Sequence, residues 1–201
     1  MKAEIQKYVV GLFPTPFYKS LIETNLNSKQ LEYLTSLELK RNNFNSTSDK
    51  TDLLNSPLFK GLKKEIHLRI EDYFNTIICP ADPIKPYITE SWYNITKPGE
   101  KHHKHKHPNS IVSGVYYITP GTICFYKEYN STINVDRKSF NEFNGYSYNE
   151  QLKKGEVILF PSQLEHGVQQ YEGNIPRQSI AFNIFIKGKL GTLSRLTGLQ
   201  I

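Results

Sequence analysis

The chain has 201 residues, a formal net charge of +6 and two cysteines, Cys79 and Cys124. That length suits one domain with its own core. Two distant cysteines argue against a disulfide framework and read as buried thiols. No apolar run matches a membrane span or a secretory leader, so a cytoplasmic protein without a membrane partner is expected. The lysines are scattered rather than clustered in a recognisable motif, which makes a nucleic-acid partner a poor fit. With 13 Tyr and 11 Phe, the composition favours strands. Its Lys, Asn, Ile and Tyr bias looks like an AT-rich genome, viral or bacterial; a phage origin would place the protein in the host cytoplasm.

In chain order, residues 8–18 read as a first strand running into an extended proline segment. Residues 28–40 space Leu31, Leu34, Leu37 and Leu39 near a helical period, with Ser28 as N-cap. The polar run 41–51 reads as a loop. In 56–78, Leu58, Leu62, Ile66, Ile70 and Phe74 recur every four residues after a proline-containing start, which predicts an amphipathic helix. His67 within it reads as an ordinary helix side chain. Beyond Pro86 the texture changes to short strands at 87–95, 111–119, 122–128, 156–161, 167–171 and 177–187. Such a series indicates a sandwich or barrel. The expected organisation is a single domain over 1–201: helical N-terminal support at 1–86, a β core at 87–187 and a tail at 188–201.

Four of the six histidines lie within H-H-K-H-K-H, residues 102–107. Alternate residues of a strand share a face, so His105 and His107 can present two imidazoles to one ion; His103 and His105 form a competing pair. A third histidine, His166, sits in the turn of G-E-V-I-L-F-P-S-Q-L-E-H-G-V. Two histidines from a strand and one from a distant turn is a metal-site pattern that suits Fe, Zn, Cu or Ni. Glu165 is a candidate acceptor for orienting an imidazole. His102 reads as a solvated loop side chain and Trp92 as core or pocket wall. In R-Q-S-I-A-F-N, Arg177 and Ser179 share a strand face and make a good clamp for a dicarboxylate.

Two families are approached by these motifs. Gly99, His105-x-His107, Gly155, Pro161 and His166 follow cupin spacing. However, Ile111 and Val112 stand where cupins carry a Glu, and Gln163 stands where a Gly is expected. A cupin-like barrel binding a metal or small ligand, or a phage accessory protein that kept the barrel without its chemistry, is the alternative reading. Taken together, L-F-P-T-P, S-W-Y-N-I, H-K-H-P-N-S-I-V-S-G-V-Y-Y-I, L-F-P-S-Q-L-E-H-G-V and R-Q-S-I-A-F-N resemble a small family of 2-oxoglutarate/Fe(II)-dependent oxygenases of phages and marine bacteria, related to prolyl 4-hydroxylases. The resemblance covers most of residues 11–186. It implies a mainly β, double-stranded β-helix (jelly-roll, cupin-like) fold with the N-terminal helices packed outside. It further implies Fe(II) on His105, His107 and His166, and 2-oxoglutarate with its C5 carboxylate on Arg177, Ser179 and Tyr117. Asn94 would serve the C1 carboxylate or the substrate. The implied activity is hydroxylation of an unidentified protein side chain or small metabolite using O2, with release of succinate and CO2; ascorbate is a further cofactor candidate and a homodimer a candidate assembly. His107 stands where the superfamily usually has Asp or Glu, which makes the triad three neutral imidazoles.

Overall fold

The computed structural model describes residues 8–42, 44–128 and 135–201. Among these, two antiparallel sheets face each other. Strands β1 (Tyr18–Leu21), β2 (Leu39–Asn42), β3 (Asn45–Ser48), β4 (Ile84–Thr96), β6 (Val112–Tyr117), β9 (Glu156–Pro161) and β11 (Arg177–Leu190) form the large sheet in the order β1-β9-β6-β11-β4-β3-β2. Strand β12 (Leu199–Gln200) pairs with the far end of β11. The small sheet has the order β5-β10-β7-β8, built from β5 (His102–His105), β7 (Gly121–Tyr126), β8 (Ser147–Leu152) and β10 (His166–Val168). This is the mainly β jelly-roll that the family resemblance implies. No helix of the described residues is long and apolar enough to cross a membrane.

At its centre, in β6, β9 and the first half of β11, the large sheet is buried on both faces, which explains the near-continuous apolar runs of these strands. One face, with Val115, Tyr117, Ile158, Phe160 and Ala181, packs on Ile123, Phe125 and Leu152 of the small sheet. The other, with Tyr93, Tyr116, Leu159, Ile180 and Phe182, packs on Leu62, Ile66, Ile70 and Tyr73 of helix α2 (Lys60–Tyr73). The four-residue period of α2 therefore faces the sheet from outside, as the sequence predicts. Gly114 sits where a Cβ would lie 2.3 Å from the Phe182 ring, so β6 and β11 pack closely only without a side chain there.

The N-terminal third departs from the expected pattern. The strand expected at 8–18 forms later, as β1, where Tyr18–Leu21 pairs with β9. Helix α1 (Ser28–Ser36) is capped by Asn27, not Ser28: Asn27 and Gln30 form a reciprocal capping box. Leu34 is buried, but Leu31 is exposed and Leu39 starts β2. The expected polar loop at 41–51 is instead the β2–β3 hairpin, whose Thr47 pairs with Asn94 of β4. Hydroxyls hold it in place: the Tyr93 amide donates to Ser48 Oγ at 3.0 Å. Tertiary pairing overrides a weak strand propensity here. Residues expected as helical support thus also supply three strands. The expected tail likewise begins within β11 and returns as β12. His67 lies on the surface of α2 opposite Glu71, 3.5 Å away. Cys124 is buried, but Cys79 is exposed, because the chain turns left-handed there (φ 46°) at the end of the helix.

Candidate active site

Strand β10 lies between β5 and β7. His166 pairs with His105, while Val168 pairs with His102. Three steps on β5 therefore oppose two on β10, which is a β-bulge, and a bulge re-aims side chains. Gly167 makes it feasible: a Cβ there would lie 2.8 Å from the His102 carbonyl and 3.0 Å from that of His103. Strict strand alternation, the basis of the H-x-H expectation, fails at this point. His107 lies beyond the end of β5, with its amide donating to the Ser162 carbonyl at 3.0 Å and its ring 5.6 Å from Trp92. His166 opens a strand instead of sitting in a turn.

The fold nonetheless brings His105, His107 and His166 together, each offering one ring nitrogen within 4.8 Å of the others. Their ring centroids are 4.4, 4.9 and 5.1 Å apart. The Nδ1 atoms of His105 and His166 meet the carbonyls of His103 and Leu164, both at 2.9 Å. A carbonyl only accepts, so both rings carry the proton on Nδ1 and leave the Nε2 lone pair free for a metal. Backbone carbonyls thus orient these rings, and the Glu165 carboxylate makes no bond to either. Burial, reinforced by the neighbouring imidazoles, pulls His166 down to about 3 and His107 to about 4. Burial also lowers His105, against the effect of its bond to the His103 carbonyl. Near neutral pH all three are uncharged, the form that ligates. The donor set fits a borderline divalent ion.

His102 is not a solvated loop side chain. It stacks on His105 with centroids 4.6 Å apart, and burial pulls it down to about 2. His102, His103 and His105 form a second group whose donor atoms also lie within 4.8 Å of one another.

The opposite wall belongs to the large sheet. Ser179 of β11 pairs with Asn94 on one side and Tyr117 on the other, so the three form one row. Arg177 lies two residues along the same face. Its Nη2 donates to Tyr117 Oη at 2.9 Å, its Nη1 to Ser179 Oγ at 3.2 Å and its Nε to the Thr122 carbonyl of the small sheet at 3.1 Å. Only 3% of Arg177 is exposed, and among the described residues no carboxylate pairs with it. Gly121 leaves room for its stem, since a Cβ there would lie 2.7 Å from Arg177 Cγ. The Arg177 charge is felt at both His102 and His166. Tyr117 is pushed up by burial, partly offset by Arg177, and so keeps its proton. Asn94 Oδ1 accepts from Thr47 Oγ1 at 2.8 Å, which leaves its amide N–H groups free.

Two spaces meet at the histidines. An inner chamber is lined by Asn94, Arg177, Ser179 and the three metal-competent histidines; a larger, more open outer groove runs along Asn42, Thr47, Glu90 and Asn183. Trp92, His102, His105 and His107 line both and act as the partition. Sequence reasoning missed His102 and the hairpin wall of the groove, and had His103 only as half of a competing pair with His105. The Gly in L-E-H-G-V was the one available signal for the bulge.

Residues 90–183 match the family described as "Putative 2OG-Fe(II) oxygenase". Comparison with curated proteins gives no match. Three solved structures share the fold. HygX from Streptomyces hygroscopicus, with nickel, 2-oxoglutarate and hygromycin B bound, has a TM-score of 0.55 at 15% identity, over 85% of this chain and 82% of that one. A 2OG-Fe(II) oxygenase family oxidoreductase from Burkholderia pseudomallei has a TM-score of 0.53 at 12% identity, over 83% of each chain. A Pseudomonas putida prolyl-4-hydroxylase has a TM-score of 0.52 at 12% identity, over 84% of this chain and 92% of that one. At such identities these neighbours establish the jelly-roll fold alone, and the family match runs over the site histidines, Asn94, Tyr117, Arg177 and Ser179. Over residues 90–183 the chain is thus similar to the 2OG-Fe(II) oxygenases, enzymes whose cofactors are iron(II) and 2-oxoglutarate.

Proposed function

We propose that this enzyme is a hydroxylase in which His105, His107 and His166 hold the iron, and Arg177, Ser179, Tyr117 and Asn94 hold 2-oxoglutarate. The observation that carries this reading is Arg177. A buried guanidinium without an anion is costly, and this one opens onto the chamber that holds the three histidines. A dicarboxylate meets the need: one carboxylate pairs with Arg177 while the other end reaches the metal. When bound, iron with 2-oxoglutarate supplies the oxidative chemistry, using O2 to hydroxylate a C–H bond with release of succinate and CO2.

The chain's own residues position and shield. Arg177 has five N–H donors, three of them occupied by Tyr117, Ser179 and Thr122, which leaves two for the distal carboxylate. Tyr117 receives an N–H from Arg177 and keeps its own proton to donate to the same carboxylate. Asn94 directs its free N–H toward the C1 carboxylate or the substrate. Phe160, 4.7 Å from the His166 ring, and Phe125, 6.2 Å from it, keep that side dry. Because His107 replaces a carboxylate, the triad leaves the full metal charge for the cosubstrate's carboxylate to balance. The substrate lies in the outer groove, on the other side of the histidine partition.

The test is anaerobic titration of Fe(II)-loaded protein with 2-oxoglutarate. The expected result is a metal-to-ligand absorption band that saturates at one equivalent, and succinate formation once O2 is admitted. Absence of both band and binding in the wild type rejects this reading in favour of a cupin-like binding barrel.

A further inference from the structure

Beyond the inner triad, we propose that His102, His103 and His105 form a second divalent-metal position on the groove wall, which competes with the inner triad for His105. The H-H-K-H-K-H tract is sorted by the bulge. Lys104 lies over the Tyr126 ring at 3.7 Å and Lys106 pairs with Glu128, so the lysines are anchored away from the histidines. The rings of His102, His103 and His105 are left together, with centroids 4.6, 5.1 and 5.1 Å apart. Nitrogens held about 2.1 Å from one ion in tetrahedral to octahedral geometry set ring centroids roughly 4.5–5.2 Å apart. The second group therefore has the same ring spacing as the inner one.

An independent observation points to a ligand. His103 Nδ1 is buried with no hydrogen-bond partner. Buried polar atoms are normally satisfied, and a metal ion would satisfy this one. All three rings line the outer groove, whereas His103 is not on the wall of the inner chamber. The second position is thus the one that an ion arriving from the groove meets first.

The two positions exclude each other. His105 Nδ1 is committed to the His103 carbonyl, so His105 has one lone pair to give. An ion on His102, His103 and His105 removes a ligand from the inner triad and sits in the groove. With three neutral nitrogens and no carboxylate, the outer position follows the general affinity order and takes zinc, nickel or copper more tightly than iron(II). Zinc-class ions at the outer position therefore inhibit the enzyme by withholding His105. The competition, but not the outer site itself, rests on the assignment of the inner triad.

The test uses Co(II) and Zn(II) as probes on the full chain, with circular dichroism as a check on folding. The double variant His107→Ala/His166→Ala is expected to bind one Co(II), and adding His103→Ala to abolish that binding. The reverse variant, His102→Ala/His103→Ala, keeps one ion on the inner triad. If the first double variant binds no Co(II), or if His103→Ala changes nothing, the outer site is rejected while the inner triad stands. Loss of binding in the reverse variant with retention in the first would instead reject the inner assignment. In ¹⁵N-imidazole spectra of the wild type titrated with Zn(II), which depend on no variant, His102 and His103 signals are expected to shift. Shifts confined to His105, His107 and His166 overturn the proposal, and two ions bound at once overturn the exclusivity.

Discussion

The two walls of the inner chamber are built differently. The Arg177 wall belongs to a long strand in the middle of a sheet buried on both faces, with unbroken register from Arg177–Thr96 to Asn183–Glu90. The histidine wall belongs to a four-residue edge strand with a bulge in its register. The first is rigid and specified by alternation. The second is specified by one glycine contact and two carbonyl bonds. A site that needs a precise anion clamp and an adjustable metal cage benefits from the division, and each wall is open to a separate attack.

The largest effects come from removing a member of either wall. His166→Ala should abolish stoichiometric binding at the inner triad, measured with Fe(II) under anaerobic conditions, and leave the fold intact by circular dichroism. Arg177→Ala should weaken 2-oxoglutarate binding by about 2–5 kcal/mol, the scale of a broken buried charged pair, with metal affinity unchanged by calorimetry. If Arg177→Ala lowers metal affinity equally, the walls are not separable. Gly167→Ala attacks the bulge. Its Cβ meets two carbonyls at 2.8 and 3.0 Å, so it should cost about 1–3 kcal/mol in overpacking and reduce metal binding, in thermal melts and metal titrations. Tyr117→Phe should be the mildest, costing about 0.5–1.5 kcal/mol of 2-oxoglutarate affinity for one hydrogen bond.

Acid sharpens the same comparison. His107 and His166 are held below the ordinary histidine value in the folded, metal-free protein, at about 4 and about 3. The unfolded chain therefore binds protons first as pH falls. Their contribution to stability is complete above about pH 6.5, and it is lost as pH falls through the folded values. Melting temperature of the metal-free protein should decline from pH 7 toward pH 4. Replacing both residues with Asn should reduce that decline, leaving the share that His102 and His105 carry, and Arg177→Ala should reduce it by less, because the Arg177 charge helps to hold His166 and His102 down.

Legibility in the sequence follows the same division. Strand β9 stands where its apolar run and closing Pro161 put it, and Arg177 and Ser179 share a face because nothing interrupts β11 before Asn183. The row of Asn94, Ser179 and Tyr117 needed only the right strand neighbours. What the sequence hid was tertiary. The β2–β3 hairpin is made of Asn, Ser and Thr, whose weak strand propensity is overcome by pairing with β4. Strand β8, S-Y-N-E-Q-L, is too polar to signal an element by itself. In the tract 102–107, a period of two predicts opposite faces for His102 and His105, and the bulge places them ring on ring. Asn27 caps α1 one residue before the expected Ser28, because Gln30 completes a box that Ser28 would not.

Through the clamp proposed above, Arg177 would also tie protein abundance to metabolism. With its charge buried and unmatched, the ligand-free fold carries a penalty that the unfolded chain does not. A dicarboxylate that binds only the folded state removes it, adding about 2.7 kcal/mol at a hundred times its dissociation constant. Unfolded molecules are what proteases degrade. A cell depleted of 2-oxoglutarate would therefore hold fewer copies of this protein as well as slower ones, and the same guanidinium would set both responses.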